Sequence, residues 1–250
     1  MNSLLRKAAH LVENSVSSRL TQSWRKHRRF EEQYVGRLLA ELRADCVLDV
    51  GANNGGYARM LREYSNYRGL IVSFEPTPDV LRALEKNSAN DPLWHVEPFA
   101  LGSSSGRARF RTMPPSSSEG NSFLPLNEEG SEEIVEIEVE IRKLSDVIPR
   151  LREKFGFSRP FLKMDTQGFD LAVFAGVGEA AEQIVGLQSE LSIDPFYKGA
   201  PDWMEALNVY RRAGFELSTL VANNLDWFPR AREIDCIMYR PQAYHEAKGA

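Results

Sequence analysis

Cysteine is scarce in this chain, with two residues among 250, so a disulfide scaffold is excluded. Cys46 and Cys236 each sit in an apolar, strand-like run and read as small buried hydrophobes of a reducing compartment. Long hydrophobic runs are missing too. No stretch approaches the roughly 18 uncharged apolar residues of a membrane span, and Met1–Lys7 opens no apolar run ending in small residues. The cytoplasm is therefore the expected location. An excess of base is also absent: the net charge of −4 excludes a chain that binds nucleic acid by its overall field.

What is present is globular. Apolar residues make up 42 % and charged residues 26 %, neither the composition of a disordered chain nor that of a collagen-like repeat. A chain of this length buries roughly three quarters of its unfolded surface and needs no staple. The charge is uneven. Residues 1–30 carry seven bases against Glu13, a local +6, which leaves −10 on the other 220 residues.

Apolar residues recur at three-to-four spacing through Leu4, Ala8, Leu11, Val12, Val16 and Leu20, and again through Phe30, Tyr34, Leu38 and Leu42. Residues 3–43 therefore read as helix. The organisation expected is a basic helical arm over 1–44, one domain over 45–241 and a tail over 242–250. The arm reads as a packed extension with a solvated basic face. A contact with an anionic membrane surface or a second subunit, or a lid over the site, are its functional alternatives.

From Cys46 the pattern alternates. Cys46–Val50, Leu70–Phe74, Leu93–Val96, Phe161–Asp165 and Ile184–Glu190 read as buried strands, with helices between most of them. Thr77-Pro78-Asp79 starts one helix, another runs from Phe169 to about Gln183, and a third from Asp202 is closed by Gly214. The last two strands, 215–220 and 234–239, have no helix between them and should be antiparallel. Five parallel strands followed by an antiparallel hairpin predict an α/β fold with a seven-stranded, mostly parallel sheet. Residues 103–142 interrupt the alternation and read as a hairpin-like insertion. Its acidic stretch, seven acids within 128–140, reads as a solvated tip, with repulsion of anionic partners as the alternative.

The chemistry concentrates after the first strand. Asp49-Val50-Gly51-Ala52-Asn53-Asn54-Gly55-Gly56 is a strand opening through glycines into a helix, a turn whose backbone a ligand can approach closely. The spacing is Gly-x-x-x-Gly-Gly, which disfavours the dinucleotide and triphosphate turns. Glu75 ends the second strand, placed to accept both hydroxyls of a ribose. Asp49 adds negative charge suited to a cationic ligand. A ribose, an amino acid end and a cationic sulfur together describe S-adenosylmethionine.

Four segments then carry a resemblance: Asp49–Gly55, Phe74-Glu75-Pro76, Ala100-Leu101-Gly102 and Leu162–Asp170, in that order. With Gln188-Ser189-Glu190, Ala213-Gly214-Phe215 and Ile234–Ile237, they make the chain similar to the FkbM family of S-adenosylmethionine-dependent methyltransferases over about residues 44–240. The resemblance implies a class I methyltransferase (Rossmann-like) fold and O-methylation of a secondary-metabolite or glycan hydroxyl. It implies cofactor contacts at Asp49, Gly51, Ala52, Asn53, Gly55 and Glu75, with Ala100 near the adenine. Asp170 stands where the family more often has Glu, and Leu144-Ser145-Asp146 replaces a Leu-Asp pair.

A hydroxyl acceptor benefits from a general base. Asp165 ends the fourth strand on the ligand-binding edge of the sheet and is the first candidate; capping of the following turn or helix is its structural alternative. Lys163 shares its strand face and can pair with it. Glu190 ends the fifth strand and can share the acceptor site. A divalent metal between Asp165 and Glu190 would need more oxygen ligands than the sequence identifies, so no metal is assigned. Asp165-Thr166-Gln167-Gly168 lacks the Pro-Pro-aromatic run of base-nitrogen methylases, so nucleic acid is not the expected acceptor. His95 reads as a core histidine. Asp194–Tyr197 and Trp227-Phe228 are candidate walls of the acceptor pocket or plain packing. A non-catalytic scaffold of the same fold is the competing function. A NAD- or flavin-linked oxidoreductase is a third, opposed by the glycine spacing.

Overall fold

The computed structural model describes residues 30–128, 133–222 and 229–249. Ten strands run in chain order: β1 (Cys46–Val50), β2 (Leu70–Phe74), β3 (Trp94–Glu97), β4 (Ala100–Leu101), β5 (Gly106–Thr112), β6 (Val135–Arg142), β7 (Pro160–Met164), β8 (Gly186–Ser192), β9 (Glu216–Ala222) and β10 (Glu233–Tyr239). Seven of them form one sheet in the order β3-β2-β1-β7-β8-β10-β9. β1 pairs in parallel with both β2 and β7, β7 with β8, and β2 with β3. β10 enters antiparallel between β8 and β9. This is the class I methyltransferase fold. Its strand order reverses between β1 and β7, and such a switch point is where open α/β sheets bind their ligands.

The alternation of side chains along each strand gives the sheet two apolar faces. Cys46, Leu48 and Val50 point to one core with Leu162, Met164 and Leu187, while Val47 points to the other with Ile71, Phe161 and Ile237. The first face is covered by α4 (Leu144–Phe155), α5 (Asp170–Ala175) and α6 (Trp203–Arg212); Leu144, Val147, Ile148 and Leu151 of α4 are all buried. The second is covered by α1 (residues 30–41), α2 (Gly56–Glu63), α3 (Pro78–Ser88) and α7 (Pro241–Gly249), with Val35, Leu38 and Leu39 of α1 inside. Both cysteines are buried and free. No helix among the described residues is long and apolar enough to cross a membrane.

Several local expectations change. Residues 144–155 form a helix that the pattern did not announce, because Pro149 lies in its interior, where proline removes a donor and reads as a breaker. The helix expected over 169–183 is α5, capped at Gly176, followed by a separate 3-10 turn over Gly178–Gln183. Pro241–Gly249, for which the pattern gave no element, form a helix. His95 is half-buried, not central, and stacks on Phe155 with ring centroids 4.2 Å apart. Of the arm, residues 1–29 lie outside the described residues, and with them the basic face.

Between Gly106 and Arg142 the chain makes the antiparallel pair β5·β6, joined by β4 into a second, three-stranded sheet. The acidic residues of β6 are not a bare charged face. Glu138 pairs with Arg107, and Glu136 pairs with Arg111 at 2.8 Å and Arg109 at 3.8 Å. Glu129 and Glu132 lie outside the described residues.

Candidate active site

At the β1–β7 switch point a cavity of about 520 Å³ opens along the carboxyl ends of the strands. One end is built by the turn after β1. Gly51 has φ +73°, and a Cβ there would fall 1.9 Å from the backbone oxygen of Asp165, so only glycine lets the β1 turn lie against the end of β7. Asn53 follows with φ +47°, a left-handed conformation that asparagine tolerates. Its backbone N–H donates to Glu75 Oε2 at 3.0 Å, and the N–H of Thr77 donates to Glu75 Oε1 at 2.8 Å. Glu75 is thereby fixed rigidly beneath the turn. Burial pushes its pKa up, and the two N–H donors oppose that shift.

Gly51, Ala52, Asn53, Glu75 and Ala100 all line the cavity, with Pro76 and Leu101 adding apolar wall. Two expected contacts do not. Gly55 is the left-handed cap of α2 (φ +85°), and a Cβ there would strike Trp94 at 2.5 Å, so this glycine serves packing. Asp49 is fully buried below the turn, where its Oδ2 accepts from Ser73 Oγ at 3.1 Å and its Oδ1 faces Lys163 Nζ at 3.1 Å. Its charge is neutralised before it reaches the cavity.

The other end is built by the turn after β7 and by β8 and β10. Lys163, Asp165 and Glu190 come together here, as expected. Lys163 is buried, and its ammonium lies 3.7 Å from Asp165 Oδ2 and 5.2 Å above the ring of Tyr57. Burial is the largest single influence and opposes its charge, but the carboxylates of Asp49, Asp165 and Asp170 together outweigh it and raise the pKa, so it stays an ammonium. Such a group holds Asp165 in place and has no proton to exchange at neutral pH. Asp165 does not cap the following turn; Asp170 does, accepting from Thr166 N–H at 2.9 Å.

Gln167 is the residue that sequence alone did not single out. Its Nε2 donates to Asp165 Oδ1 at 3.1 Å and to Glu190 Oε2 at 2.9 Å, clamping the two carboxylates together. Its Oε1 accepts from Tyr197 OH at 3.1 Å, and that hydroxyl also reaches Gly120 O at 3.0 Å. Tyr197 thus supports the clamp from behind, while Phe196 stacks under Arg232. Trp227 and Phe228 lie outside the described residues. Glu190 is pushed well up in pKa by burial first and by Asp165 next.

Three further walls come from distant segments. Ser118 Oγ, from the insertion, lies 3.3 Å from the Asn53 side chain, so the insertion closes over the β1 turn rather than standing away from it. Gln188 accepts from Tyr57 OH at 2.9 Å and donates to Glu31 Oε1 at 2.8 Å, which brings the start of α1 into the wall. Glu233 and Asp235 enter from β10. Among the described residues, no group of three or more His, Cys, Asp or Glu side chains is arranged to hold a metal ion.

The residues present fit S-adenosylmethionine. Glu75 keeps free lone pairs for ribose hydroxyls, Ala100, Leu101 and Pro76 offer an apolar slot for a base, and the glycine turn leaves backbone exposed to an amino acid end.

The chain matches the family described as Methyltransferase FkbM domain over residues 49–217. No curated protein matches it in sequence. Among solved structures it is similar to Aeropyrum pernix fibrillarin with natively bound S-adenosyl-L-methionine, at 13 % identity and a TM-score of 0.43, covering 78 % of this chain and 66 % of that one, just under two thirds of its length. The magnesium protoporphyrin IX methyltransferase of Synechocystis PCC 6803 with bound SAM gives 8 % identity and a TM-score of 0.46, covering 88 % and 82 % of the two chains. An rRNA methylase from Streptococcus thermophilus gives 9 % identity and a TM-score of 0.41, covering 83 % and 94 %. These likenesses are loose, and the fold assignment rests on the strand order. The family match covers well over half of the sequence, and the chain belongs to the FkbM methyltransferase family, whose cofactor is S-adenosylmethionine.

Proposed function

We propose that this protein moves the methyl group of S-adenosylmethionine onto a hydroxyl of a sugar, glycan or secondary metabolite. One observation carries the proposal: a single cavity runs from Glu75 and Ala100 at one end to the clamped pair Asp165–Glu190 at the other. The cofactor, when bound, supplies an electrophilic methyl on a good leaving group. The chain's own task is then geometric, to hold an acceptor oxygen in line with that methyl.

The acceptor proton needs a destination, and the carboxylate pair provides it. Asp165 lies 3.7 Å from the Lys163 ammonium, while Glu190, its pKa raised by burial, is a stronger base than an ordinary carboxylate when ionised. Gln167 fixes the separation of the pair, so an acceptor hydroxyl meets oxygens that do not have to reorganise. The insertion and α1 close over the cavity and limit the water that competes with the acceptor.

Calorimetry with S-adenosylmethionine tests the cofactor half. The wild type should bind, and Glu75→Ala should weaken binding at least tenfold. No binding by the wild type overturns the proposal. Formation of S-adenosylhomocysteine with a panel of hydroxylated acceptors tests the other half, and binding without turnover on any of them would favour a scaffold of the same fold.

A further inference from the structure

Ala100, Leu101 and Pro76 give the base slot a floor of apolar groups, enough to cover one face of a purine. The second sheet and the insertion bring aromatic rings to the same cavity. Phe110 of β5 and Phe123 of the insertion both line it, their ring centroids 4.7 Å apart and set edge to face. Phe123 also lies 4.6 Å from Phe169, and Phe169 stands so close to the end of β4 that a Cβ on Gly102 would fall 3.1 Å from its ring. Contacts thus run without a break from Phe123 to the glycine that follows Ala100-Leu101.

Phe123 is half-buried and belongs to neither apolar core of the main sheet. Its backbone is nonetheless fixed. The preceding Ser122 exchanges two backbone hydrogen bonds with Arg111, at 2.9 and 3.1 Å, and its Oγ donates to the Gln167 carbonyl at 2.9 Å. The strip that ends in Phe123 begins at Ser118, 3.3 Å from the Asn53 side chain, and passes Asn121, whose Nδ2 lies 3.5 Å from Thr77 Oγ1. Thr77 is the residue whose N–H holds Glu75. The strip therefore crosses from the glycine turn, past the ribose position, to the base slot.

We infer that Phe123 is a cofactor-binding residue, its ring covering the adenine of S-adenosylmethionine from the side opposite Ala100, so that the insertion supplies half of the base slot. The inference concerns the cofactor alone and does not depend on which acceptor is methylated. Adenine is the flat, apolar part of the cofactor, and it stacks on an aromatic ring without requiring a particular pattern of hydrogen bonds. A ring already held by Ser122 and by its two aromatic neighbours loses little freedom when the base arrives. A ring that only filled space in the Phe110–Phe123–Phe169 cluster could be exchanged for another apolar side chain at no cost to the cofactor; a stacking ring could not.

The test is calorimetry with two probes, S-adenosylhomocysteine and 5′-methylthioadenosine, the second of which carries base and ribose but no amino acid end. Phe123→Leu keeps apolar bulk without the ring and should weaken both probes by about fivefold or more, and by the same factor. Phe123→Tyr keeps the ring and should bind both as the wild type does. With its tyrosine rings isotope-labelled, the Phe123→Tyr protein bound to 5′-methylthioadenosine should show a nuclear Overhauser contact from adenine H2 or H8 to a tyrosine ring, a contact absent from the wild type. A smaller loss in Phe123→Leu, a loss confined to S-adenosylhomocysteine, or no new tyrosine contact overturns the inference. Should the leucine variant not fold, the tyrosine contact decides alone. Failure of the wild type to bind either probe defeats the methyltransferase function as well, whereas binding that ignores residue 123 defeats only this inference.

Discussion

Asp49 and Lys163 are register partners on neighbouring parallel strands, and their charged ends meet 3.1 Å apart with almost no access to solvent. The lysine reaches from this pair up to Asp165 and joins the floor of the cofactor turn to the acceptor end. Removing one member leaves the other charge buried alone, a loss of about 3–5 kcal/mol. Lys163→Met should therefore lower the melting temperature by about 10 °C, at 2–4 °C per kcal/mol. Adding Asp49→Asn to it should recover part of the loss. A catalytic lysine would show the opposite: lost turnover with an unchanged melt.

Gln167 should prove a positioning residue. It has φ +54°, so Gln167→Gly removes the clamp and relieves the backbone at once. The expected result is a melt unchanged or raised, unchanged affinity for S-adenosylmethionine, and kcat lower by about 10–100-fold. Steady-state kinetics beside calorimetry checks this, and loss of cofactor affinity would contradict it.

Stability should fall as pH rises from about 5 to 8. Burial and the Asp165 charge push Glu233 up to about 7, and burial raises Glu190 and Asp235 as well. Between the unfolded and folded pKa values the folded chain holds protons that the unfolded chain has released. Stability is thus full below the ordinary carboxylate range and is lost as pH climbs through the raised values. Each group contributes up to about 1.4 kcal/mol per pH unit in that window. Thermal melts across pH should show the decline, and Asp235→Asn should flatten it.

Asp170 ties the Thr166–Gly168 turn to β8, accepting from Thr166 N–H at 2.9 Å, the Thr166 hydroxyl, Ser189 Oγ at 2.7 Å and Glu190 N–H at 3.1 Å. Asp170→Ala leaves these donors bare and should cost about 2–4 kcal/mol. Asp170→Asn keeps one acceptor oxygen and should cost less, as chemical denaturation would measure.

Much of this was legible in sequence where a residue's role is local. The glycine turn, Glu75 at the end of β2 and the helix start at Pro78 follow from backbone chemistry within a few residues, and so does the closing antiparallel pair. Asp165, Lys163 and Glu190 were placed by their positions at strand ends. What escaped is what depends on register between distant segments. Asp235 gains its meaning only opposite Glu190, and Gln167 only between two carboxylates 2 and 23 residues away. Asp49, which reads as a ligand from its place beside the turn, faces down to Lys163 because side chains alternate along β1. The run of acids in β6 reads as free charge until the arginines of β5 are laid against it.

The missing side chain of Gly51 has a consequence for how the two halves of the cavity communicate. The turn that would hold the cofactor and the strand end that would hold the acceptor touch backbone to backbone, with no soft side chain between them to absorb displacement. Any displacement that occupancy of one half imposes on this contact is passed to the other, and such coupling is reciprocal. Whatever factor an acceptor applies to the dissociation constant of the cofactor, the cofactor applies to that of the acceptor.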